Sequence, residues 1–433
     1  MTTQTDSIDY ALTEAIQHFV ARHPNAEAMQ KRAAQVMPGG NTRSVLFTKP
    51  FPIRVERAEG CMLHDIDGHS YVDLVGEFSA GIYGHSNPVI VAEVQRAMEQ
   101  GLNMGAHHTR EVEFAEAVAG RFMLERLRFT NSGTEANMMA IAAARAFTGR
   151  PAIMAMRGGY HGGTLSFAQG PAAVNAPFEC VMAHYNDVEG TCELIKANAG
   201  KLAAVILEPV VGGGGCIPAT QEFLGMLREE TQRRGIVLIF DEVMTSRLHP
   251  NGYAARVSIS PDLKTLGKYI GGGMSFGCFG GRADIIDLFD PSRANALAHA
   301  GTFNNNTLTM SAGLIGLTKI YTADACTALN ARGEALKARI NAMIMSYQAP
   351  MQMTGIGSLL CLHPLSGKIA SPEDAARADV RLKRLLFFHL LEDGVYLAER
   401  GYMALSLLIG DAEEAMLEKS LMRFIERYRA LLH

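Results

Sequence analysis

The sequence lacks the features that mark secreted, membrane-spanning and nucleic-acid-binding proteins. Its seven cysteines are an odd number, and they form neither a CxxC pair nor a Cys/His cluster with zinc spacing. No apolar run approaches the roughly 20 residues that a membrane helix needs, and residues 1–10 lack the pattern of a signal peptide. A formal net charge of -4 gives no electrostatic case for nucleic acid or an anionic membrane as a partner. We therefore expect a cytoplasmic protein with reduced thiols and no bound metal.

The sequence does contain enough apolar material for a large folded core. Hydrophobic residues make up 48% of its 433 residues and charged residues 19%, which indicates a globular protein of two domains or one large domain. Between residues 126 and 240, apolar runs alternate with helical segments. The runs at 152–156, 203–207 and 236–240 are apolar throughout, as in strands that are buried on both faces. This alternation predicts an α/β fold around a mostly parallel sheet.

The two ends of the chain show a different pattern. Residues 8–36 have a helical periodicity that Pro24 divides, and a hairpin with Asp67-Gly68 at its turn follows. Beyond residue 311 the pattern predicts a strand-rich piece at 351–363 and helices at 312–321, 327–347, 373–391 and 412–432. We therefore expect residues 1–75 and 316–433 to form one smaller α+β domain beside a large domain of residues 76–315.

The segment 265–274 has a lysine in a glycine-rich turn. Lys268 stands two positions after Leu266 and is followed by Gly271-Gly272-Gly273. Glycine is kept where the backbone bends unusually or lies close to something bulky. A lysine amine that is desolvated in such a turn has a lowered pKa and becomes a nucleophile toward carbonyl groups. On its own the segment more often indicates a surface lysine on a flexible hairpin, and the rest of the chain reverses that interpretation.

A predicted strand, a polar turn at residues 131–136 and an alanine-rich helix follow one another, which is an architecture that holds anions. Free N–H groups and the dipole at the start of a helix favour a phosphate, and the hydroxyl groups of Ser132 and Thr134 would add hydrogen bonds. An ordinary helix N-cap gives the same pattern. This segment alone does not separate the two interpretations.

Two acids, Asp241 and Glu242, end the apolar run at 236–240. The ligands of open α/β sheets bind at the carboxyl ends of such strands. Successive side chains of a strand point to opposite faces, so only one of the two acids can face a site and hold a cation there. The alternative is an acid that caps the next turn.

Two further segments contain aromatic or imidazole rings. In residues 157–163 glycines flank Tyr160, which suits a ring that stacks against a flat group, although a flexible loop would also fit. The pair His107-His108 has no Cys/His cluster with metal-ligand spacing around it, so we expect structural roles for both residues.

Together these segments supply a phosphate site, an acid for a ring nitrogen, a stacking ring and an amine that can form a Schiff base. These are the groups that a phosphate-bearing heteroaromatic aldehyde needs. Over essentially its whole length, the chain resembles the fold-type I, class III aminotransferases, which depend on pyridoxal 5'-phosphate (PLP). The resemblance rests on the segments 132–136, 159–162, 208–209, 241–243, 265–268, 271–273 and 301–302.

Two branches of that class are similar to parts of this chain. Residues 241–245 and 270–281 resemble the glutamate-1-semialdehyde aminomutases. A closer resemblance, to bacterial transaminases of aromatic β-amino acids, lies in residues 38–47, 265–281, 301–306 and 385–390. The resemblance implies a large domain with a mostly parallel seven-stranded sheet flanked by helices, a smaller α+β domain, and a homodimer with shared active sites.

The resemblance also implies a role for each residue that matches the motifs. Lys268 would bind PLP as a Schiff base and then transfer the proton, while Asp241 would pair with the pyridinium nitrogen. Tyr160 and Val243 would cover the two faces of the ring. The other cofactor-binding residues would be Ser132, Gly133, Thr134, Glu208 and, from the second subunit, Thr302.

Two arginines match those that the β-amino-acid transaminases use for substrate carboxylates. Arg43 would hold the carboxylate of the donor, and Arg400 would be a second, movable arginine. The leading interpretation is a transaminase that moves the amino group of an aromatic β-amino acid, such as β-phenylalanine, to 2-oxoglutarate. The alternatives are an aminomutase of the glutamate-1-semialdehyde type and a non-catalytic scaffold that binds the cofactor.

Overall fold

The fold was analysed in a computed structural model, which describes residues 7–168 and 170–432. Helices are distributed along the whole chain. In chain order they are α1 (Ile8–Arg22), α2 (Pro24–Ala34), α3 (Pro88–Gln100), α4 (Thr109–Phe122), α5 (Gly133–Thr148), α6 (Val188–Asn198), α7 (Gln221–Arg234), α8 (Tyr253–Val257), α9 (Ala283–Ile286), α10 (Thr307–Ile315), α11 (Ala323–Ser346), α12 (Pro372–Ala375), α13 (Val380–Glu392), α14 (Asp411–Arg427) and α15 (Arg429–Leu432). None of the helices in this part of the chain is both long and apolar enough to cross a membrane.

The strands of the described residues fall into four sheets. In chain order they are β1 (Val55–Glu59), β2 (Met62–Asp65), β3 (Ser70–Asp73), β4 (Arg126–Thr130), β5 (Ala152–Met156), β6 (Glu179–Ala183), β7 (Leu202–Leu207), β8 (Val210–Val211), β9 (Ile217–Pro218), β10 (Val237–Asp241), β11 (Leu263–Gly267), β12 (Gly277–Gly281), β13 (Gln352–Ile356), β14 (Leu359–His363), β15 (Val395–Tyr396) and β16 (Tyr402–Ala404).

The largest sheet has seven strands in the order β4-β12-β11-β10-β7-β5-β6. Only β12 runs antiparallel to its neighbours, so the predicted mostly parallel seven-stranded sheet is confirmed. In the register of β10 and β11, Asp241 lies beside Thr265. The carboxyl ends of the parallel strands therefore meet at one edge of the sheet.

Helices cover both faces of this sheet, which explains why its central strands are apolar throughout. Every residue of β5, β7 and β10 is buried. The buried alanines of α5 pack on one face, and Phe223 and Leu224 of α7 pack on the other. Strands of this type have no polar face for the sequence to reveal, and their apolar runs are typical of parallel sheets.

The two ends of the chain share a sheet. Four strands are ordered β1-β2-β3-β15, and Val395 of β15 pairs with Val72 of β3. A three-stranded sheet, β13-β14-β16, is formed by the C-terminal part alone. The domain boundaries near residues 75 and 315 stay a prediction.

All four helices that the sequence predicts beyond residue 311 have different bounds in the structure. The helix expected at 327–347 begins earlier, at Ala323, and ends at Ser346. The helix expected at 373–391 is two helices, α12 and α13, because the carboxylate of Asp379 accepts the N–H of Arg381 and starts a new helix. The helix expected at 412–432 ends as α14, and α15 follows after Tyr428. The helix expected at 312–321 begins earlier, at Thr307, where Asn306 caps it, and passes into a π-helical turn from Gly316.

Candidate active site

The predicted site residues converge at the carboxyl edge of the large sheet. Asp241 is the last residue of β10, and Lys268 directly follows β11. Glu208 directly follows β7, while Ser132 and Tyr160 lie in the turns after β4 and β5. Five separate stretches of sequence thus reach one edge because the strands that precede them are parallel.

Lys268 is held in a strained turn. Its φ is 54°, in the left-handed region that residues other than glycine rarely adopt. Its Nζ donates to the backbone oxygen of Phe78 and, at 3.2 Å, to Oγ of Ser79. In the same turn, a Cβ on Gly272 would lie 2.4 Å from the backbone of Ala312, so the helix α10 packs against bare backbone there.

Burial lowers the pKa of Lys268 to about 8, and the positive charges of Arg400 and Arg247 act in the same direction. The negative charges of Glu208 and Asp241 oppose this shift. At a pKa of about 8, roughly one-tenth of the amine is unprotonated at pH 7, far more than for an ordinary lysine. A lysine amine with this pKa is suited to the nucleophilic role that the sequence predicts for Lys268.

Asp241 is fixed by a buried polar network. Its Oδ2 accepts hydrogen bonds from Nδ2 of Asn137 and Nδ1 of His161, each at 2.8 Å. Oδ1 accepts one from the N–H of Val243 at 3.0 Å. Asn137 in turn accepts from Oγ1 of Thr265 at 2.6 Å. Oδ1 keeps a lone pair that could accept from a ring N–H.

Glu242 has a different role from Asp241. Its carboxylate is fully buried and accepts the N–H groups of Tyr253 and Ala254 at the start of α8. Of the two acids that end the apolar run, Glu242 is therefore the one that caps the next helix. Asp241 is therefore the acid that can face the site.

Glu208 is a buried acid near Lys268 and has a raised pKa. Burial raises its pKa to about 7, although the nearby His161 and the N–H groups of Tyr160 and Gly212 stabilise the charged form. Those two N–H groups donate to the carboxylate at 3.0 and 3.3 Å. Glu208 thus holds the loop after β5 against the end of β7.

The start of α5 has the features of an anion site. Oγ of Ser132 accepts the N–H of Glu135 at 3.2 Å and caps the helix. Within residues 7–168 and 170–432, no acceptor pairs with the N–H groups of Gly133 and Thr134. A Cβ on Gly133 would lie 2.9 Å from the side chain of Val243, so the helix start and the end of β10 are in close contact. The structure therefore shows the N-cap, and it leaves these two N–H groups available to an anion.

Both predicted arginines lie near one phenylalanine. The guanidinium carbon of Arg43 is 5.9 Å from the centre of the Phe78 ring, and that of Arg400 is 5.3 Å from it. Arg43 also forms an ion pair with Glu77. Nε of Arg400 is buried and has no hydrogen-bond partner among the described residues. Phe78 is therefore the link between the two arginines and Lys268.

Phe78 belongs to a strained segment. Gly76, Glu77, Phe78 and Ser79 all have positive φ, between 49° and 78°. Such strain costs of order 1 kcal/mol or more for each residue with a side chain and is concentrated at functional sites. The buried guanidinium of Arg247 donates to the backbone oxygen of Ser79 at 3.4 Å and helps to hold the segment.

The comparison with known proteins agrees with this geometry. The profile of the family described as aminotransferase class-III matches residues 47–424. The chain belongs to the class-III aminotransferases. It is 48% identical to the β-phenylalanine transaminase of Variovorax paradoxus, over 98% of each chain. The crystal structure of the β-phenylalanine aminotransferase from that organism superposes with a TM-score of 0.97, covering 98% of this chain and 99% of that one.

More distant members of the family are also similar to this aminotransferase. A glutamate-1-semialdehyde 2,1-aminomutase of Lachnoclostridium phytofermentans is 35% identical, over 88% of this chain and 93% of the relative. A solved transaminase with PLP bound is 31% identical, with a TM-score of 0.87 over 94% of this chain and 98% of that one. Both the resemblance and the fold-type I architecture that the sequence predicts are confirmed.

Class-III aminotransferases use PLP, and the residues of this site fit that cofactor. The unpaired N–H groups at the start of α5 suit its phosphate. The free lone pair on Oδ1 of Asp241 suits its ring nitrogen, and Lys268 supplies the amine. Val243 and Tyr160 lie on the two segments that adjoin these groups.

Tyr160 and Thr302 form fewer contacts at the site than the other predicted residues do. Tyr160 is 53% exposed, and its contact with the site runs through its backbone N–H. Thr302 is exposed and forms no hydrogen bond with the described part of its own chain. His107 and His108 form separate structural contacts, the first with Glu111 and the second with the backbone oxygen of Asn305.

The sequence does not single out several residues that shape the site. Glu77 and Phe78 carry no motif, and their importance follows from backbone strain that no composition signal shows. Asn137 could have been noticed, because it is the one amide among the buried alanines of α5. Arg247 could not be noticed in this way, because an arginine in a polar turn is normally exposed.

Proposed function

We propose that this aminotransferase moves the amino group of an aromatic β-amino acid, such as β-phenylalanine, to a dicarboxylic 2-oxo acid such as 2-oxoglutarate. The observation that carries the proposal is the pair of arginines around Phe78, whose backbone oxygen accepts from Lys268. Two guanidinium groups beside one aromatic ring suit substrates that combine a carboxylate with either a ring or a second carboxylate. The Variovorax paradoxus relative, named for β-phenylalanine, supports the donor.

Lys268 and Asp241 do the chemical work in this proposal. Bound PLP supplies an electron sink for the bond that breaks at the amino-bearing carbon. Once the substrate amine has replaced it on the cofactor, Nζ of Lys268 would take the proton from that carbon and deliver it to C4′ of the cofactor. Its lowered pKa leaves a useful fraction of the amine unprotonated for this transfer. Oδ1 of Asp241 holds a proton on the ring nitrogen, while Asn137 and His161 keep the carboxylate in place.

The remaining cofactor contacts come from loops around these two residues. Ser132, Gly133 and Thr134 would hold the phosphate at the start of α5. Tyr160 and Val243 would cover the ring, and Glu208 fixes the loop that carries Tyr160. These contacts bind and orient the cofactor but do not transfer protons themselves.

Arg43 and Arg400 divide the carboxylates between them. Arg43 takes the donor's carboxylate and the distal carboxylate of the acceptor, and Arg400 takes the acceptor's α-carboxylate. The carboxylate of Glu77 occupies Arg43 until a substrate carboxylate displaces it. The ring of Phe78, which stacks on Tyr402 at 5.7 Å, offers an apolar surface to the donor's aromatic side chain.

The assembly and location of the enzyme belong to the same proposal. A homodimer would bring Thr302 of one copy to the phosphate of the other, which agrees with its exposure and lack of hydrogen bonds in the described chain. The seven cysteines are all unpaired, as expected in the reducing cytoplasm. The boundaries near residues 75 and 315 would separate the sheet that carries the cofactor from the domain that carries Arg43 and Arg400.

An aminomutase of the glutamate-1-semialdehyde type is the second candidate, because one relative at 35% identity has that name. The two functions differ in whether an external acceptor is required. The holoenzyme should be assayed with β-phenylalanine, 4,5-diaminovalerate and alanine as donors and with 2-oxoglutarate and pyruvate as acceptors. We expect β-phenylalanine with 2-oxoglutarate to be the fastest pair. Conversion of glutamate-1-semialdehyde without any acceptor, at a rate above all of these pairs, would favour the aminomutase.

A further inference from the structure

A second cluster of polar side chains lies outside the active site. His23 stands between α1 and α2, Asp65 ends β2, and His69 lies in the turn between β2 and β3. His23 and Asp65 are buried, and the side chain of His69 is 20% exposed. One nitrogen from each histidine and one oxygen from Asp65 lie within 4.8 Å of one another.

The hydrogen bonds of this cluster leave no hydrogen atom for the contact between His23 and Tyr71. Nδ1 of His23 is 2.7 Å from the backbone oxygen of Phe19, so it must carry a hydrogen. Tyr71 donates its only hydroxyl hydrogen to Oδ2 of Asp65 at 2.7 Å. Nε2 of a neutral His23 then points its lone pair at the oxygen of Tyr71, 3.0 Å away, with no hydrogen between them. Such a contact is repulsive unless a positive charge lies among these atoms.

The distances fit a metal ion as that positive charge. Oδ2 of Asp65 is 3.4 Å from Nε2 of His23. It is 3.1 Å from Nδ1 of His69, which donates a hydrogen bond to it until an ion displaces the proton. In a tetrahedral site with metal–ligand bonds of about 2.0–2.1 Å, neighbouring ligand atoms are about 3.3 Å apart.

The surroundings also have the form of a metal site. The hydrogen bond from Nδ1 of His23 to a backbone oxygen fixes its tautomer, and Oδ1 of Asp65 accepts the N–H groups of Asp67 and His69. Such second contacts orient the ligands of known metal sites. A cavity of about 270 Å³, lined by both histidines and Tyr71, offers an entry path and room for water ligands.

We infer that His23, Asp65 and His69 bind one divalent transition-metal ion through Nε2, Oδ2 and Nδ1, with water from the cavity completing the coordination. Two imidazoles and one carboxylate favour Zn²⁺ and similar cations over Ca²⁺ and Mg²⁺, which prefer oxygen ligands alone. The ion would tie the corner between α1 and α2 to the β2–β3 hairpin. Asp67 of the same hairpin already accepts the N–H groups of Asn25 and Ala26 at the start of α2.

The test is a calorimetric titration of tag-free, chelator-treated holoenzyme with ZnCl₂. We expect wild type to bind one Zn²⁺ per chain, and His69→Ala to bind it at least 100-fold more weakly. His64→Ala is the matched control, because His64 lies on the same hairpin but contacts Ser70 rather than the cluster. Its affinity should equal that of wild type, and circular dichroism should confirm that all three proteins are folded.

Co²⁺ provides a second measurement that needs no variant. Bound to the wild-type holoenzyme, it should give the intense visible ligand-field bands of a four-coordinate site, and stoichiometric Zn²⁺ should remove them. Absence of saturable Zn²⁺ binding by wild type, or equal Zn²⁺ affinity in wild type and His69→Ala, would overturn the proposal.

Discussion

The ion pair between Arg43 and Glu77 gives a quantitative prediction about substrate binding. Their side chains are 42% and 55% exposed, so the pair is worth about 0.2–1 kcal/mol rather than the larger value of a buried pair. A donor carboxylate must replace Glu77 on Arg43. Glu77→Gln removes the competitor and should therefore lower KM for β-phenylalanine by about 1.4- to 5-fold, with kcat unchanged.

Steady-state kinetics at low ionic strength measures this effect, which should shrink as salt screens the exposed pair. Glu179→Gln is the matched control, because Glu179 pairs with Lys201 at similar exposure, 49% and 44%. Glu179 begins β6, at the opposite end of the parallel strands from the site. That variant should leave KM unchanged. A higher KM in Glu77→Gln would mean that Glu77 helps to position the substrate, and the idea of a resident competitor would be wrong.

Three further substitutions test the chemistry at the sheet edge. Lys268→Ala should lower the transamination rate more than 100-fold while the protein stays folded, because it removes both the amine and the proton carrier; steady-state assays and circular dichroism check this. Asp241→Asn should retain PLP, measured by its absorbance, but lose most activity, and near-normal rates would show that another acid holds the ring nitrogen. Burial raises the pKa of Glu208 from its ordinary value near 4.5 to about 7, so in cofactor-free protein its contribution to stability falls as pH rises between these values. Glu208→Gln should remove about 2 kcal/mol of that pH dependence between pH 5 and 8, as followed by thermal unfolding; an unchanged dependence would contradict the assigned pKa.

The sequence predicts those parts of the fold whose physical cause is local. The strands β5, β7 and β10 were evident because burial on both faces requires continuous apolar residues. Lys268 and Asp241 were evident because glycines and strand ends accompany them. The break between α12 and α13 was missed because residues 376–379 contain neither glycine nor proline, and one aspartate cap decides it.

The rest of the site depends on contacts between distant segments. Phe78 acquires its role only because a run of positive φ angles brings its ring to Arg400, more than 300 positions away, and its carbonyl to Lys268. His23 and Asp65 come together only in the folded chain. Their spacing along the sequence therefore does not indicate a metal site. Such positions cannot be derived from periodicity or composition, which report on neighbours along the chain.

The division of carboxylates between Arg43 and Arg400 is tested most directly by single-turnover kinetics. Each half-reaction of the holoenzyme is followed through the spectral change of the cofactor, first with β-phenylalanine alone and then with 2-oxoglutarate alone. In Arg400→Ala, we expect the 2-oxoglutarate half-reaction to lose about 2–5 kcal/mol of transition-state stabilisation, or roughly 30-fold or more, while the β-phenylalanine half-reaction changes little. Equal losses in both half-reactions would contradict the division, and no reaction of wild type with β-phenylalanine would contradict the proposed function itself.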